Sequence, residues 1–174
     1  MTRLANERMG YRPANEGMHG MSRLVEEDPI RLSRESKGQL LQKVQGSSSF
    51  EFSLLVTMYE VPREDICLLH VTSDDDRKGV AWPSVMVCGG SMQLMVNFRR
   101  GKYSVDLSSH MGALTIAKEI KICVHHMADW IWLEVDGRSF RKGCPADMQV
   151  PPAPQLSVYL GSPTFAACEA SVRS

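Results

Sequence analysis

The stretch that decides the fold runs from Glu119 to Phe140 and reads Glu-Ile-Lys-Ile-Cys-Val-His-His-Met-Ala-Asp-Trp-Ile-Trp-Leu-Glu-Val-Asp-Gly-Arg-Ser-Phe. Apolar residues recur at every second position in two runs, and a period of two places these side chains on one face of a β-sheet. The second run closes on Asp136-Gly137, a turn dipeptide that accepts positive φ at both positions. The stretch therefore predicts a β-meander. The apolar positions are Ile120, Ile122, Val124, Ile131, Leu133 and Val135.

Similar alternating runs recur elsewhere in the chain, for example from Phe50 to Met58, from Ser91 to Phe98 and from Tyr103 to Leu107. Roughly ten short strands, at intervals near 8 to 12 residues and without an amphipathic helix pattern between them, are typical of an all-β sandwich. The sequence shows no internal repeat of the kind that a β-propeller requires. We therefore predict a two-sheet antiparallel jelly-roll sandwich with an extended N-terminal arm.

Residues 1–46 differ from the rest, because glycine and proline interrupt any regular period and apolar residues are few. This composition predicts an extended arm, and residues 47–174 are predicted to form the sandwich. The arm is either a disordered tail or a segment that becomes ordered on a partner protein. Residues 36–45 can form a short helix with Ser36 as its N-cap, although Gly38 opposes that helix by about 1 kcal/mol.

The charge balance excludes several classes of protein. The 174 residues contain 20 basic and 20 acidic side chains, so no global field attracts nucleic acid, and we expect no nucleic-acid partner. The sequence contains no run of about twenty apolar residues, and its first ten residues lack an apolar signal-peptide segment. We therefore expect a chain that does not span a membrane, carries no secretory signal and resides inside the cell, in the cytosol or an organelle.

Five cysteines stand at positions 67, 88, 123, 144 and 168, an odd number without Cys-x-x-Cys spacing. This arrangement argues against a structural zinc site. Reduced thiols are the expected state in an intracellular compartment. If the chain were a secreted fragment, Cys144 and Cys168 would be the pair to test for a disulfide.

Several segments together resemble the concanavalin A-like jelly roll and, within it, the laminin G-like domains. The segments, which lie within about residues 48–174, are Trp82-Pro83-Ser84-Val85, Ile120-Lys121-Ile122-Cys123-Val124, Trp132-Leu133-Glu134-Val135-Asp136-Gly137 and Val158-Tyr159-Leu160-Gly161-Ser162-Pro163. The resemblance implies a lectin-like β-sandwich, and laminin G-like domains often bind calcium at loops. The sequence departs from this group in lacking the His-x-Asn-Pro-Arg and Trp-Gly-x-Glu motifs of galectins and the Glu-x-Asp-x-x-Glu motif of related glycosidases. These departures argue against sugar binding and hydrolysis.

The candidate binding residues are Trp130, Trp132 and Glu134, which alternate with the aliphatic residues of the meander. If the aliphatic residues face the core, the two tryptophans form an aromatic strip on the opposite face. Such a strip could stack on a sugar or contact a protein partner, or it could be covered by a loop or another chain. We favour coverage.

Two further clusters are weak candidates for metal binding. Asp74, Asp75 and Asp76 could bind calcium through their carboxylates, but consecutive aspartates alone do not enclose an ion. His125 and His126 are interpreted as a polar turn, because adjacent strand residues point to opposite faces and cannot bind one metal together. We therefore expect neither a bound metal nor a cofactor.

No catalytic motif is visible in the sequence, and we expect the protein not to be an enzyme. The predicted function is that of a non-catalytic protein-interaction or accessory subunit, which contacts its partner through the arm and the Trp130/Trp132 face. The alternative is a carbohydrate-binding module that uses the same face. A third reading is a glycosidase-like enzyme in which Glu134 and Asp136, on one strand face, form an acid/base pair.

Overall fold

The computed structural model describes residues 10–13, 22–23, 30–32, 38–73, 80–107, 113–127, 129–149, 151–162 and 170–173. Within these ranges the regular structure consists of β-strands and one 3-10 turn at Ala146–Met148. The described residues include no helix that is long and apolar enough to cross a membrane. The strands are β1 (Gly10–Pro13), β2 (Ser22–Arg23), β3 (Ile30–Leu32), β4 (Gln39–Gln45), β5 (Phe50–Met58), β6 (Ile66–Ser73), β7 (Ala81–Val87), β8 (Leu94–Arg100), β9 (Tyr103–Leu107), β10 (Glu119–Met127), β11 (Trp130–Val135), β12 (Arg138–Gly143), β13 (Gln155–Leu160) and β14 (Ala170–Arg173).

The strands form two antiparallel sheets, as the alternating sequence predicts. In the first sheet, β12, β11, β10 and β5 are neighbours in that order, and the far side of β5 pairs with β1 at one end and with β14 at the other. Strand β2 pairs with β1, and β3 pairs with β14. The second sheet has the order β4, β13, β6, β7, β8, β9. The predicted all-β, two-sheet sandwich is confirmed.

The meander between Glu119 and Phe140 forms β10, β11 and the start of β12. Asp136 and Gly137 both have positive φ, at 46° and 78°, so the turn has the backbone conformation that its sequence predicts. The Lys118 ammonium lies 2.8 Å from the Asp136 carboxylate, whose other oxygen accepts a hydrogen bond from the Lys121 backbone N–H at 3.1 Å. The side chain of Asp136 therefore stabilises the turn.

The core lies between the two sheets. Inward residues of β5, β10 and β11 are buried and contribute to one apolar cluster with residues of β6, β7, β8 and β13. The inward positions of the two predicted runs are all buried, which confirms the alternation. Aromatic packing is concentrated at Phe50, Trp82 and Phe98, each with no exposed surface. Trp82 and Phe98 meet edge to face with ring centroids 5.9 Å apart.

The predicted short helix at 36–45 is wrong. Residues 39–45 are strand β4, which pairs with β13 at the edge of the second sheet. Gly38 disfavours a helix, and hydrogen bonds to a distant strand outweigh the weak local preference. Parts of residues 1–46 thus pair with the sandwich, while the division into an arm at 1–46 and a sandwich at 47–174 stays a prediction.

Candidate functional site

The outer face of the first sheet carries a row of polar and aromatic residues from four neighbouring strands. Glu51 on β5 pairs with His125 on β10, His125 pairs with Trp132 on β11, and Trp132 pairs with Arg141 on β12. Because the alternate residues of β5, β10 and β11 are in the core, these side chains project away from it. We call this row, together with Trp130 and Glu134, the tryptophan face.

Both tryptophans of this face make specific ring contacts. Trp130 is 43% exposed, and the Arg141 guanidinium carbon lies 4.2 Å from the centroid of its ring. Trp132 is half-buried and stacks on His125, with centroids 4.4 Å apart and planes 16° from parallel. Favourable cation–π and stacking contacts of this kind orient the rings before any ligand arrives. With this exposed fraction, Trp130 is not fully covered by any part of the chain.

Charged groups surround His125. Its Nδ1 lies 3.4 Å from the Glu51 carboxylate, and its Nε2 is buried without a hydrogen-bond partner among the described residues. Burial lowers the pKa of His125, although the carboxylates of Glu51 and Glu134 partly oppose that shift. The imidazole therefore favours its neutral form, with Nδ1 beside the Glu51 carboxylate and Nε2 enclosed.

Glu134 and Asp136 lie in different surroundings. Glu134 is half-buried on the tryptophan face, between Cys123 and Ser139 of the flanking strands. Asp136 belongs to the turn, and its hydrogen bond with Lys118 holds the pKa of its carboxyl below the ordinary value. The two carboxylates therefore have separate structural settings, with Asp136 committed to turn stabilisation.

His125 and His126 lie within strand β10, so their interpretation as a polar turn is wrong. They point to opposite faces, as expected for adjacent strand residues, and His126 is fully buried in the core. Its Nδ1 lies 2.7 Å from the Ser48 carbonyl oxygen, and its Nε2 lies 3.1 Å from that of Met148. Long-range contacts with these carbonyls, which sequence patterns do not show, allow a polar ring to be buried.

The remaining candidates have separate outcomes. Asp74, Asp75 and Asp76 lie outside the described residues, so calcium binding there stays a prediction. Within the ranges that the structure describes, no group of three or more histidine, cysteine, aspartate or glutamate side chains is arranged to hold a metal. Cys144 is a free, buried thiol, whereas Cys168 lies outside the described residues. Burial, with a smaller contribution from Asp129, raises the pKa of the Cys144 thiol to about 11.

A second polar row, which the sequence reasoning missed, crosses the sheet opposite the tryptophan face. Tyr159, His70, Ser84, Asn97 and Asp106 pair in that order across β13, β6, β7, β8 and β9. His70 is hydrogen-bonded to Ser84, and Asn97 donates to Asp106. The available signal was one polar residue, His70 or Ser84, inside each of the apolar runs at residues 66–71 and 81–87. Since His70 and Ser84 are buried, we interpret the row as register-specific pairing rather than a binding surface.

The fold is shared with several solved structures, although no protein-family model and no curated protein sequence matches the chain. Mouse laminin alpha1 domains LG4-5 superpose with a TM-score of 0.60 and 16% identity. The match covers 84% of this chain and 40% of the laminin chain. Carbohydrate binding module CBM66 from Bacillus subtilis gives a TM-score of 0.52 and 12% identity over 97% of this chain and 94% of its own. The protein thus has the concanavalin A-like jelly-roll fold that its sequence resembles.

One expectation is corrected by these comparisons. Alginate lyase A1-II′ matches 75% of this chain and 60% of its own, with a TM-score of 0.51 and 10% identity. The prediction that the protein is not an enzyme is therefore wrong. It relied on the fold and on missing motifs, and a lyase has the same fold. At such low identity the likeness shows the fold alone, and it assigns no activity to the present chain.

Proposed function

We propose that this protein binds carbohydrate through the tryptophan face. The observation that carries the proposal is the exposed Trp130 beside the half-buried Trp132, in a row that also presents Glu51, His125 and Arg141. A pyranose ring has an apolar C–H face that an indole can cover and a rim of hydroxyls that charged side chains can bind. The resemblance to a fold that includes a carbohydrate binding module supports this proposal.

Each polar group of the face has a role that its chemistry allows. The Arg141 guanidinium provides planar donors, the Glu51 and Glu134 carboxylates accept hydrogen bonds from hydroxyl groups, and His125 supports the Trp132 ring. The stacked pairs Trp130–Arg141 and Trp132–His125 hold these groups in place, which reduces the entropy lost when a ligand binds. A pre-ordered face of aromatic and hydrogen-bonding groups is the arrangement that selective sugar recognition requires.

Replacing Trp132 with alanine is expected to weaken binding by about tenfold or more, because the ligand loses a stacking surface and His125 loses its support. A glycan array first identifies the best-bound sugar, and calorimetric titration with that sugar then compares the variants. Tyr59→Ala is the matched control, since Tyr59 is 47% exposed and lies eight residues beyond Glu51. This spacing is about 26 Å along an extended strand. The proposal fails if no glycan binds, or if Trp132→Ala binds as tightly as the unchanged protein while remaining folded.

A protein-interaction or accessory role is a second proposal, favoured by a different observation. Tyr59, Val61 and Ile116 are 47%, 45% and 44% exposed near the C-terminal end of β5, where Ile116 forms a β-bridge with Met58. Neighbouring exposed apolar side chains often mark a protein contact. The partner, the predicted role of the arm in contacting it and the intracellular location stay predictions.

If these residues form a protein contact, Val61→Glu is expected to shift the protein toward a smaller species, because a buried charge opposes association. Light scattering after size exclusion measures the mass over a range of concentrations. Arg63→Gln, which makes the same change of −1 in net charge at an exposed position of the same loop, is the control for a change in charge alone. A single mass for the unchanged protein and both variants would contradict self-association. The contact would then have to be with another protein, and cross-linking in cell extract should capture a partner that the Val61→Glu variant no longer binds.

A further inference from the structure

Strand β12 is an edge of the first sheet, and one of its two sides is open. Among the described strands it pairs with β11 alone, and five of its six residues are exposed. A Cβ atom added at Gly143 would meet no atom within 4 Å, so the end of the strand is not covered. An unpaired strand edge presents backbone donors and acceptors to any extended chain that lies beside it. Strand β12 therefore offers a position for an added strand.

The register of β11 with β12 identifies the backbone groups on the open side. The Cys144 N–H donates to the Asp129 carbonyl oxygen at 2.8 Å, one position beyond the last pair of the ladder. Such bonded positions recur at every second residue of an antiparallel pair, so the even-numbered residues of β12 bond to β11 and the odd-numbered residues direct their N–H and C=O groups outward. The outward groups make no hydrogen bond within the described part of the chain. They belong to Ser139, Arg141 and Gly143.

The side chains of β12 include three cations and no acid. In the ranges that the structure describes, Arg138, Arg141 and Lys142 form no ion pair within 4 Å. The Arg141 guanidinium lies over the Trp130 ring, and the Lys142 ammonium donates at 3.4 Å to the Asp106 carbonyl oxygen, which has no formal charge. All three cations can therefore pair with carboxylates of a partner.

The carboxylates beside β12 do not take the place of such a partner. Asp136 is bound by Lys118 at 2.8 Å, and Arg138 makes only a smaller contribution to the lowered pKa of its carboxyl. Glu134 is on β11, about 10 Å from a strand added to β12, and Glu51 on β5 is about 19 Å from it. Residues of an added strand would instead lie about 5 Å from their direct neighbours on β12. The cations of β12 therefore dominate the charge that an added strand meets.

We infer that β12 binds an extended acidic peptide of a partner protein, which joins the first sheet as an additional antiparallel strand. Backbone hydrogen bonds supply the affinity, and cross-strand pairs with the three cations select carboxylates. A second copy of this chain is disfavoured as the occupant, because pairing β12 with itself brings like charges together. The inference does not rest on carbohydrate binding, since it uses the edge of the sheet, although Arg141 borders both sites.

A six-residue probe, labelled for fluorescence polarisation, tests whether binding uses the open backbone edge. Antiparallel to β12, the peptide Thr-Glu-Glu-Val-Thr-Glu places a carboxylate opposite each cation and valine opposite Phe140. Its first, third and fifth N–H groups then face β12. N-methylation at its third and fifth residues is expected to weaken binding by about tenfold or more, because two hydrogen bonds are lost. N-methylation at its second and fourth residues, whose N–H groups point away, should leave binding unchanged.

Matched charges test the choice of an acidic partner. The peptide Thr-Gln-Gln-Val-Thr-Gln is expected to bind at least about tenfold more weakly than the acidic probe, and salt should weaken only the acidic probe. Arg138→Glu with Lys142→Glu should cause a similar loss. Arg63→Glu with Arg99→Glu makes the same change in net charge at exposed positions away from β12 and should bind normally. If the β12 double variant does not fold, as thermal unfolding would show, the corresponding double glutamine variant replaces it.

A proline at Ser139 tests the position of the added strand. Ser139→Pro removes an outward N–H without removing a hydrogen bond to β11, so the edge strand should tolerate it. We expect it to weaken binding of the acidic probe by about fivefold or more, since one hydrogen bond is lost and the proline ring obstructs the edge. Ser139→Ala keeps the N–H and is the matched control. Both variants should bind any glycan of the tryptophan face as tightly as the unchanged protein does.

The outcomes separate this inference from the proposed function. Absence of probe binding up to about 1 mM, or equal effects of the two N-methylation patterns, overturns the added strand. Equal binding of the acidic and glutamine peptides overturns the choice of an acidic partner. A dimer in light scattering that Ser139→Pro dissociates assigns the edge to a second copy instead. If the probe binds as expected and no glycan binds, only the proposed carbohydrate function fails.

Discussion

Replacing Trp82 with alanine is expected to lower the free energy of unfolding by about 3–5 kcal/mol, the usual cost of emptying a large buried aromatic site. Trp82 has no exposed surface and packs edge to face on Phe98, with its ring centroid 5.0 Å from that of His126. Its indole N–H also donates to the Ser47 carbonyl oxygen at 3.4 Å. The alanine variant loses these contacts and leaves a cavity between the sheets. Urea unfolding followed by circular dichroism measures the loss.

Trp130→Ala is the matched control, because it removes the same side chain from a site that is 43% exposed. That variant loses mainly the cation–π contact with Arg141, so its cost should be within about 1 kcal/mol. The prediction is wrong if the two variants have the same stability. If Trp82→Ala does not fold at all, Trp82→Phe retains an aromatic ring and should give a smaller, measurable loss.

Much of the fold follows from local sequence patterns. Residues of β10 and β11 alternate between buried and outward positions as the period of two predicts, and Asp136-Gly137 forms the turn that its residues favour. These features depend on neighbours within a few positions, and a sequence shows such neighbours directly. Strand β4 is different, because its hydrogen-bonding partner β13 is more than a hundred residues away. Its local pattern therefore suggested a helix.

The candidate site was only half predictable for the same reason. Trp130, Trp132 and Glu134 belong to one strand, so the period of two was enough to place them on one face. Glu51 and Arg141 join that face only through the register of β5 with β10 and of β11 with β12. A shift of one residue in either register would turn these side chains to the other side. Sequence reasoning without pairing partners could not identify them.

The second large effect is a loss of stability on acidification, which we attribute mainly to His126. Burial among Phe50, Trp82 and Phe98 lowers the pKa of this histidine, and the Ser48 and Met148 carbonyl oxygens only partly oppose the shift. The Cys144 thiol is a titratable neighbour, with its sulfur 3.6 Å from Nε2. Since burial raises the pKa of that thiol to about 11, it stays protonated at neutral pH and adds no charge to stabilise an imidazolium.

The direction of the effect follows from the lowered pKa. As the pH falls below about 6.5, the ordinary histidine value, the unfolded chain takes up the proton before the folded protein does. Stability is therefore complete above that pH and decreases as the pH falls toward the folded value. Each unit by which the pKa is lowered contributes about 1.4 kcal/mol. Asp136, whose pKa is also lowered, contributes mainly below about pH 4, where aspartate titrates.

Urea unfolding between about pH 7.5 and pH 5 tests the assignment, because carboxylates remain largely ionised over most of that range. The unchanged protein should lose stability steadily below about pH 6.5, and His126→Gln, which cannot titrate, should show a flatter profile. His125→Gln is the control, because burial also lowers the pKa of His125. The shift is opposed by Glu51 and Glu134, and the His125 ring is less buried than that of His126. We expect it to remove the smaller part of the slope. If His126→Gln retains the full slope, the acid sensitivity does not arise from the buried histidine.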